Sequence, residues 1–216
     1  MRDKKRLVAG ILIFGSLWGF SEVIIGSTLS DLGMPSGALM TGFFALFFLV
    51  LSRLTFRQPG MQIGMGLVAG TLRMFNPLMG CHLCSAIAIM AEAMIFEIIW
   101  RYLSFDFEKH RNLTAHVSFG IFAVYFLYVS GYIITQILTP IVDGTGFYLQ
   151  NLIAILPKIF SRGLLPAFIG GALTPAIVRL SKIDLTIKDR IYYPTTLGTS
   201  AFCWIVVIGS WLSVGG

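Results

Sequence analysis

The sequence predicts an all-α, polytopic membrane bundle of about seven transmembrane helices, forming one integral membrane domain over residues 1–216. Three observations predict it. Of the 216 residues, 56% are hydrophobic and only 12% charged, and the mean hydropathy is +0.82. A soluble domain carries about 25% charged residues because its surface must stay wet; half that fraction leaves a globule uncovered. The apolar residues also form continuous runs of the length, roughly 20 residues, that crosses a hydrocarbon core, whereas a transmembrane β-barrel needs short alternating segments. Finally, the 23 glycines and eight prolines are spread through these runs rather than gathered in linkers, which argues against disorder. Soluble enzymes and nucleic-acid binders are excluded, and no catalytic residue is expected.

The runs fall at about 7–29, 37–54, 61–77, 81–100, 115–138, 163–180 and 195–214. The first follows Met-Arg-Asp-Lys-Lys-Arg, which resembles the start of a signal peptide. It is longer than a signal-peptide core and lacks a small-residue cleavage site, so a retained first helix is expected. Residues 147–160 are apolar but interrupted by Gln150, Asn151, Pro157 and Lys158, and read as an interfacial or re-entrant piece. Basic residues collect on the cytoplasmic side of membrane proteins. With the N-terminus inside, 13 of the 16 Lys and Arg residues fall on cytoplasmic segments, leaving Arg73, Lys158 and Arg162 elsewhere. The net charge of +6 is therefore a topology signal. It fits a multi-pass protein of the cell (inner or plasma) membrane and implies no nucleic-acid partner.

Ionisable residues inside a membrane are costly and each needs a reason. In the first helix Gly15, Gly19, Glu22 and Gly26 stand at four- and three-residue spacings, on one narrow face. Small residues so spaced let a second backbone approach, so Glu22 is expected to point into the bundle. The third run repeats the spacing with Gly66, Gly70 and Arg73, offset by 51 residues. Glu22 and Arg73 lie equally far beyond the basic markers Arg6 and Arg57, which places them at similar depth in the outer half. They are expected either to pair, fixing helix register, or to share a ligand. Trp18 and Phe20 flank Glu22, and Trp18 is a candidate pocket wall.

In the fourth run Cys81, Cys84, Ser85, Ala88 and Glu92 share a face, with His82 beside it, while Glu97 lies opposite and nearer the cytoplasm. Cys81, His82 and Cys84, with a carboxylate, have ligand types suited to a transition metal. Equally, Cys81 and Cys84 suit a disulfide or redox pair on an oxidising face, or small apolar packing. Cys203 reads as packing. The substrate-binding candidates are thus Glu22, Arg73, Trp18, Asn76, Cys81, His82, Cys84 and Glu92. A bis-histidine haem, a retinal Schiff base, a phosphate-cradling loop and paired intramembrane aspartates all lack their residues here.

The basic N-terminus, the small-residue first helix GSLWGFSEVIIG, the glycine-rich GMGLVAGTLR and GLLPAFIGGALTP, and the lack of a nucleotide motif resemble the substrate-binding membrane subunits (S components) of energy-coupling factor transporters. The resemblance implies a six-helix core, a ligand site in the outer half, and partnership with a transmembrane coupling subunit and two ATPases. It also implies a docking surface for the coupling subunit on Gly10, Gly15 and Gly19, although the latter two are equally placed to face the helix of Arg73. The nickel and cobalt members begin Met-His, whereas this chain begins Met1-Arg2, which disfavours those metals. Two other classes remain open on the residues: a membrane metal or thiol-redox protein using Cys81, His82 and Cys84, and a structural subunit of a larger membrane complex.

Overall fold

The computed structural model describes residues 2–76, 82–103, 112–182 and 189–214. These residues are helical throughout apart from short connections. The elements are α1 (Arg2–Asp31), α2 (Ser36–Leu39), a π-helical segment (Met40–Ala45), α3 (Leu46–Phe56), α4 (Met61–Met74), α5 (His82–Leu103), α6 (Leu113–Val142), α7 (Leu149–Arg162), α8 (Leu164–Leu180) and α9 (Asp189–Val214). Six segments are long and apolar enough to cross a membrane: Lys4–Asp31, Ser36–Phe56, His82–Tyr102, Leu113–Val142, Leu149–Leu180 and Arg190–Ser213.

One expectation changes. The run at 61–77 forms a helix of only 14 residues, Met61–Met74. At 1.5 Å per residue that is about 21 Å, short of the roughly 30 Å hydrocarbon core. The count of long spans is therefore six among the described residues, with α4 a shorter helix packed among them. The interfacial piece expected at 147–160 is helical as Leu149–Arg162, with Ile159 its buried residue. The chain stays helical through Gly163 (φ −64°, ψ −18°), so α7 and α8 together form a 32-residue candidate span. Tyr125 donates to the Phe160 carbonyl at 3.3 Å, and Gly170 and Gly171 lie against Val124 and Ile121, so α7 and α8 run antiparallel along α6.

Glycines set the closest helix approaches. A Cβ at Gly15 would lie 2.7 Å from the Met65 carbonyl oxygen, and one at Gly19 would lie 2.9 Å from the Ala69 backbone. The pairing advances in step along both chains, so α1 and α4 are parallel. Gly66 and Gly70 face α5 instead, against Ala93 and Met90, with sequence order reversed, so α4 and α5 are antiparallel. The glycines of α1 thus bring in α4, and those of α4 bring in α5. Close backbone approach is the means by which helices associate where no hydrophobic driving force separates helix from lipid.

At the end of the bundle that carries the N-terminus, called proximal below, Glu97 of α5 holds the start of α4. Its carboxylate accepts the backbone N–H of Gly60, and that of Ile63 at 3.1 Å. Arg53 lies over the Trp100 ring, 5.5 Å from its centroid, and donates to the Gln58 carbonyl at 3.1 Å. The first N–H groups of a helix have no internal partner, and the Glu97 carboxylate supplies the acceptors that two of them lack. Glu97→Ala is expected to cost about 2 kcal/mol, the worth of hydrogen bonds to a charged acceptor, read as a lowered unfolding temperature in detergent. Glu97→Gln, which keeps one acceptor oxygen, is expected to recover part of the loss.

Candidate functional site

At the opposite, distal end, where α1 ends and α2 and α5 begin, lies a cavity of about 200 Å³. Five elements line it. From α1 comes Glu22; from α2 and the π-helical segment come Gly37, Met40 and Thr41; from α5 come Cys84, Ser85, Ala88, Ile89 and Glu92; from α6 come Tyr132, Thr135 and Gln136. Glu92 sits about 15 Å along α5 from His82 at its start.

Local structure makes this room. Gly131 of α6 stands against the Glu92 side chain, where a Cβ would come within 3.3 Å of Cγ. Gly26 keeps the space beside the Glu22 carboxylate clear, and Gly37 lets the Tyr132 hydroxyl approach α2, since a Cβ there would lie 2.5 Å from it. The π-helical turn carries Thr41, whose hydroxyl donates to Glu92 Oε1 at 2.7 Å. Such turns occur mostly as local insertions and often at functional sites. Here the turn delivers a hydroxyl donor to a carboxylate that is only 4% exposed.

Glu22 and Arg73 do meet, at matching depth. The contact is from Arg73 Nη1 to the main-chain carbonyl of Glu22, at 2.7 Å, and not to the carboxylate. That carboxylate instead accepts the Trp18 indole N–H at 3.2 Å. Trp18 is fully buried, so it orients Glu22 from behind rather than walling the cavity. Arg73 is likewise outside the lining and ties α4 to α1.

The other candidates divide. Cys84 and Glu92 line the cavity as their shared helix face predicts. Asn76 is buried and accepts from Ser27 Oγ at 3.4 Å, away from the lining. His82 also lies outside the lining, and its Nδ1 is buried with no hydrogen-bond partner among the described residues. Cys81 lies outside the described residues. Cys84 is disulfide-bonded, so its sulfur is not a thiolate in this state, and a thiolate is what a soft metal requires. Among the described residues no three His, Cys, Asp or Glu side chains come together as a metal site. Cys203 is free and buried, as packing predicts.

Gly10, Gly15 and Gly19, expected as a docking surface or as facing the helix of Arg73, are buried within the chain: Gly10 against the Phe56 ring, Gly15 and Gly19 against α4.

Sequence reasoning passed over Thr41, Tyr132, Thr135 and Gln136. For the last three a signal existed: Thr135 and Gln136 stand three and four residues beyond Tyr132, which puts all three toward one side of α6. Thr41 is a single hydroxyl in an apolar run and carries no such pattern.

Fold and site together define a class: a chain whose described residues are helical, with six segments among them suited to crossing a membrane and a small carboxylate-bearing cavity near one end. Comparison with protein-family models, curated proteins and solved structures found no match.

Proposed function

We propose that the chain is the substrate-binding membrane subunit of an energy-coupling-factor-like transporter, taking up a small solute through a site in the outer half of the bundle. The observation that carries this reading is the distal cavity, on which residues from five helical elements converge. Buried polar groups in a membrane bundle mark ligand or ion pathways because their desolvation is otherwise uncompensated. A purely structural carboxylate has its oxygens consumed by neighbouring donors, as those of Glu97 are. The carboxylates of Glu22 and Glu92 each accept one side-chain hydrogen bond and border open volume.

The basic residues support the orientation. Arg6, over the Tyr192 ring, and Arg53 lie at the proximal end, so the charge rule makes that end cytoplasmic and turns the cavity outward. The chain holds no nucleotide-binding loop, and energy comes from partner ATPases.

Affinity purification of the full chain from its native membranes, after mild cross-linking, tests the assignment. One transmembrane coupling protein and two ATPase subunits are expected in stoichiometric amounts. Recovery of oxidoreductase subunits in their place would overturn it in favour of a structural role in a larger complex.

A further inference from the structure

The cavity's chemistry narrows the solute. We propose that it takes a small protonated amine, seated between the carboxylates of Glu22 and Glu92; this rests on the solute-binding reading above and specifies its substrate class.

Charge comes first. Among the lining residues two are carboxylates and none is Lys, Arg or His. The nearest base on the neighbouring helix, Arg73, spends a donor on the Glu22 main-chain carbonyl and lies outside the lining. Arg162 of α7 is exposed and also outside it. Arg73 already acts electrostatically on Glu22 from outside the lining, so an anionic solute would meet carboxylates and no basic side chain within the cavity, whereas a cation would compensate Glu92 and share Glu22 with Arg73.

Hydrogen bonding comes second. Glu92 is 4% exposed, and its Oε1 accepts from Thr41. Its other oxygen has no hydrogen-bond partner among the described residues. The same holds for Glu22, where Oε1 is taken by Trp18. Each acid therefore presents an acceptor with unused capacity toward the cavity. The hydroxyls of Thr135 and Ser85 and the Gln136 carboxamide add further acceptors. This set matches a group with several N–H donors. Charge-assisted hydrogen bonds to carboxylate are the strong ones, and they gain strength where water is scarce.

Size and walls come third. Drug-sized ligands occupy about 300–1,000 Å³, and this cavity is about 200 Å³, so the amine is small. A bare metal ion would leave most of that volume empty. Met40, Ala88 and Ile89 supply apolar walls, and Tyr132 a ring. Such walls suit a short carbon skeleton behind a charged head.

The test is calorimetric titration of the full chain in lipid nanodiscs with matched sets of probes. The amines are 1,4-diaminobutane, ethanolamine and butylamine. The neutral counterparts are 1,4-butanediol, ethylene glycol and butanol, and the acids are succinate, glycolate and butyrate. At least one amine is expected to bind, with its alcohol and acid counterparts binding at least about tenfold more weakly. Glu92→Gln and Glu22→Gln are each expected to weaken the amine about ten- to a hundredfold, the loss of one charged hydrogen bond. Either variant suffices should the other fail to fold, and the wild-type selectivity needs neither.

Equal binding of alcohols or acids, or amine affinity unchanged in both variants, would overturn the amine class while leaving a solute site in place. Absence of binding by any amine would also overturn it. The solute-binding reading itself falls only if the wild-type chain also carries no solute out of its native membrane.

Discussion

Gly19→Leu is expected to destabilise the isolated chain by about 3 kcal/mol, at the upper end of ordinary overpacking, and to lower its thermal unfolding temperature in detergent. The reason is what stands opposite. A Cβ at Gly19 would lie 2.9 Å from both the Cα and the carbonyl oxygen of Ala69. Those are backbone atoms of a helix and cannot rotate aside. The larger side chain must push α1 from α4 and draw Glu22 away from Arg73, breaking the 2.7 Å bond from the guanidinium to its carbonyl. The measurement also separates two roles for this glycine. Were Gly19 a docking position for a partner, the lone chain would unfold at the wild-type temperature and only assembly would suffer. Gly209, which has nothing within 4 Å of a would-be Cβ, supplies the control. Gly209→Ala is expected to change stability little.

Ala88→Leu is expected to abolish solute binding while leaving the fold intact. Ala88 is half-buried, one turn from Glu92, and lines the cavity beside Ile89. Leucine carries an extra isopropyl group into a space of about 200 Å³. The volume is already empty, so the group meets little of the strain that overpacking a filled core brings. It also disturbs no hydrogen bond of Glu92 or Thr41. Filling the cavity therefore removes room for a ligand without removing any polar group, which a carboxylate substitution cannot do.

Much of this architecture is legible in the sequence because the bilayer imposes a simple rule. A chain with 12% charged residues has to expose the rest to lipid, and apolar runs of roughly 20 residues become helices because every backbone group must be satisfied internally. Helix faces are legible too. Spacings of three and four put Cys84, Ser85, Ala88 and Glu92 on one side of α5, and the structure gives all four to one cavity. The same arithmetic puts Glu22 level with Arg73.

What sequence spacing does not specify is which neighbour a face meets. The glycine stripe of α1 suits a partner protein as well as it suits α4, because both need only a close backbone. The stripe of α4 is equally open, and its neighbour proves to be α5. Nor does spacing announce the π-helical turn at Met40–Ala45, which re-aims Thr41 onto Glu92. That turn depends on packing of the segment against α8, where Gly42 lies against Pro166. Residues 147–160 read as an interfacial helix from their polar interruptions; α7 there is amphipathic with Ile159 its buried residue, and spacing does not announce that it runs on into α8. Lys158 and Arg162 stay exposed there, as long basic side chains do when their stems run along apolar surface.

Native mass spectrometry of the full chain, taken directly from its own membranes into nanodiscs, tests the central claim most directly. Wild-type protein is expected to carry a small non-lipid mass that Ala88→Leu, unfolding at the same temperature, no longer carries. A wild-type spectrum with no bound solute, or the same solute retained by Ala88→Leu, would contradict the account.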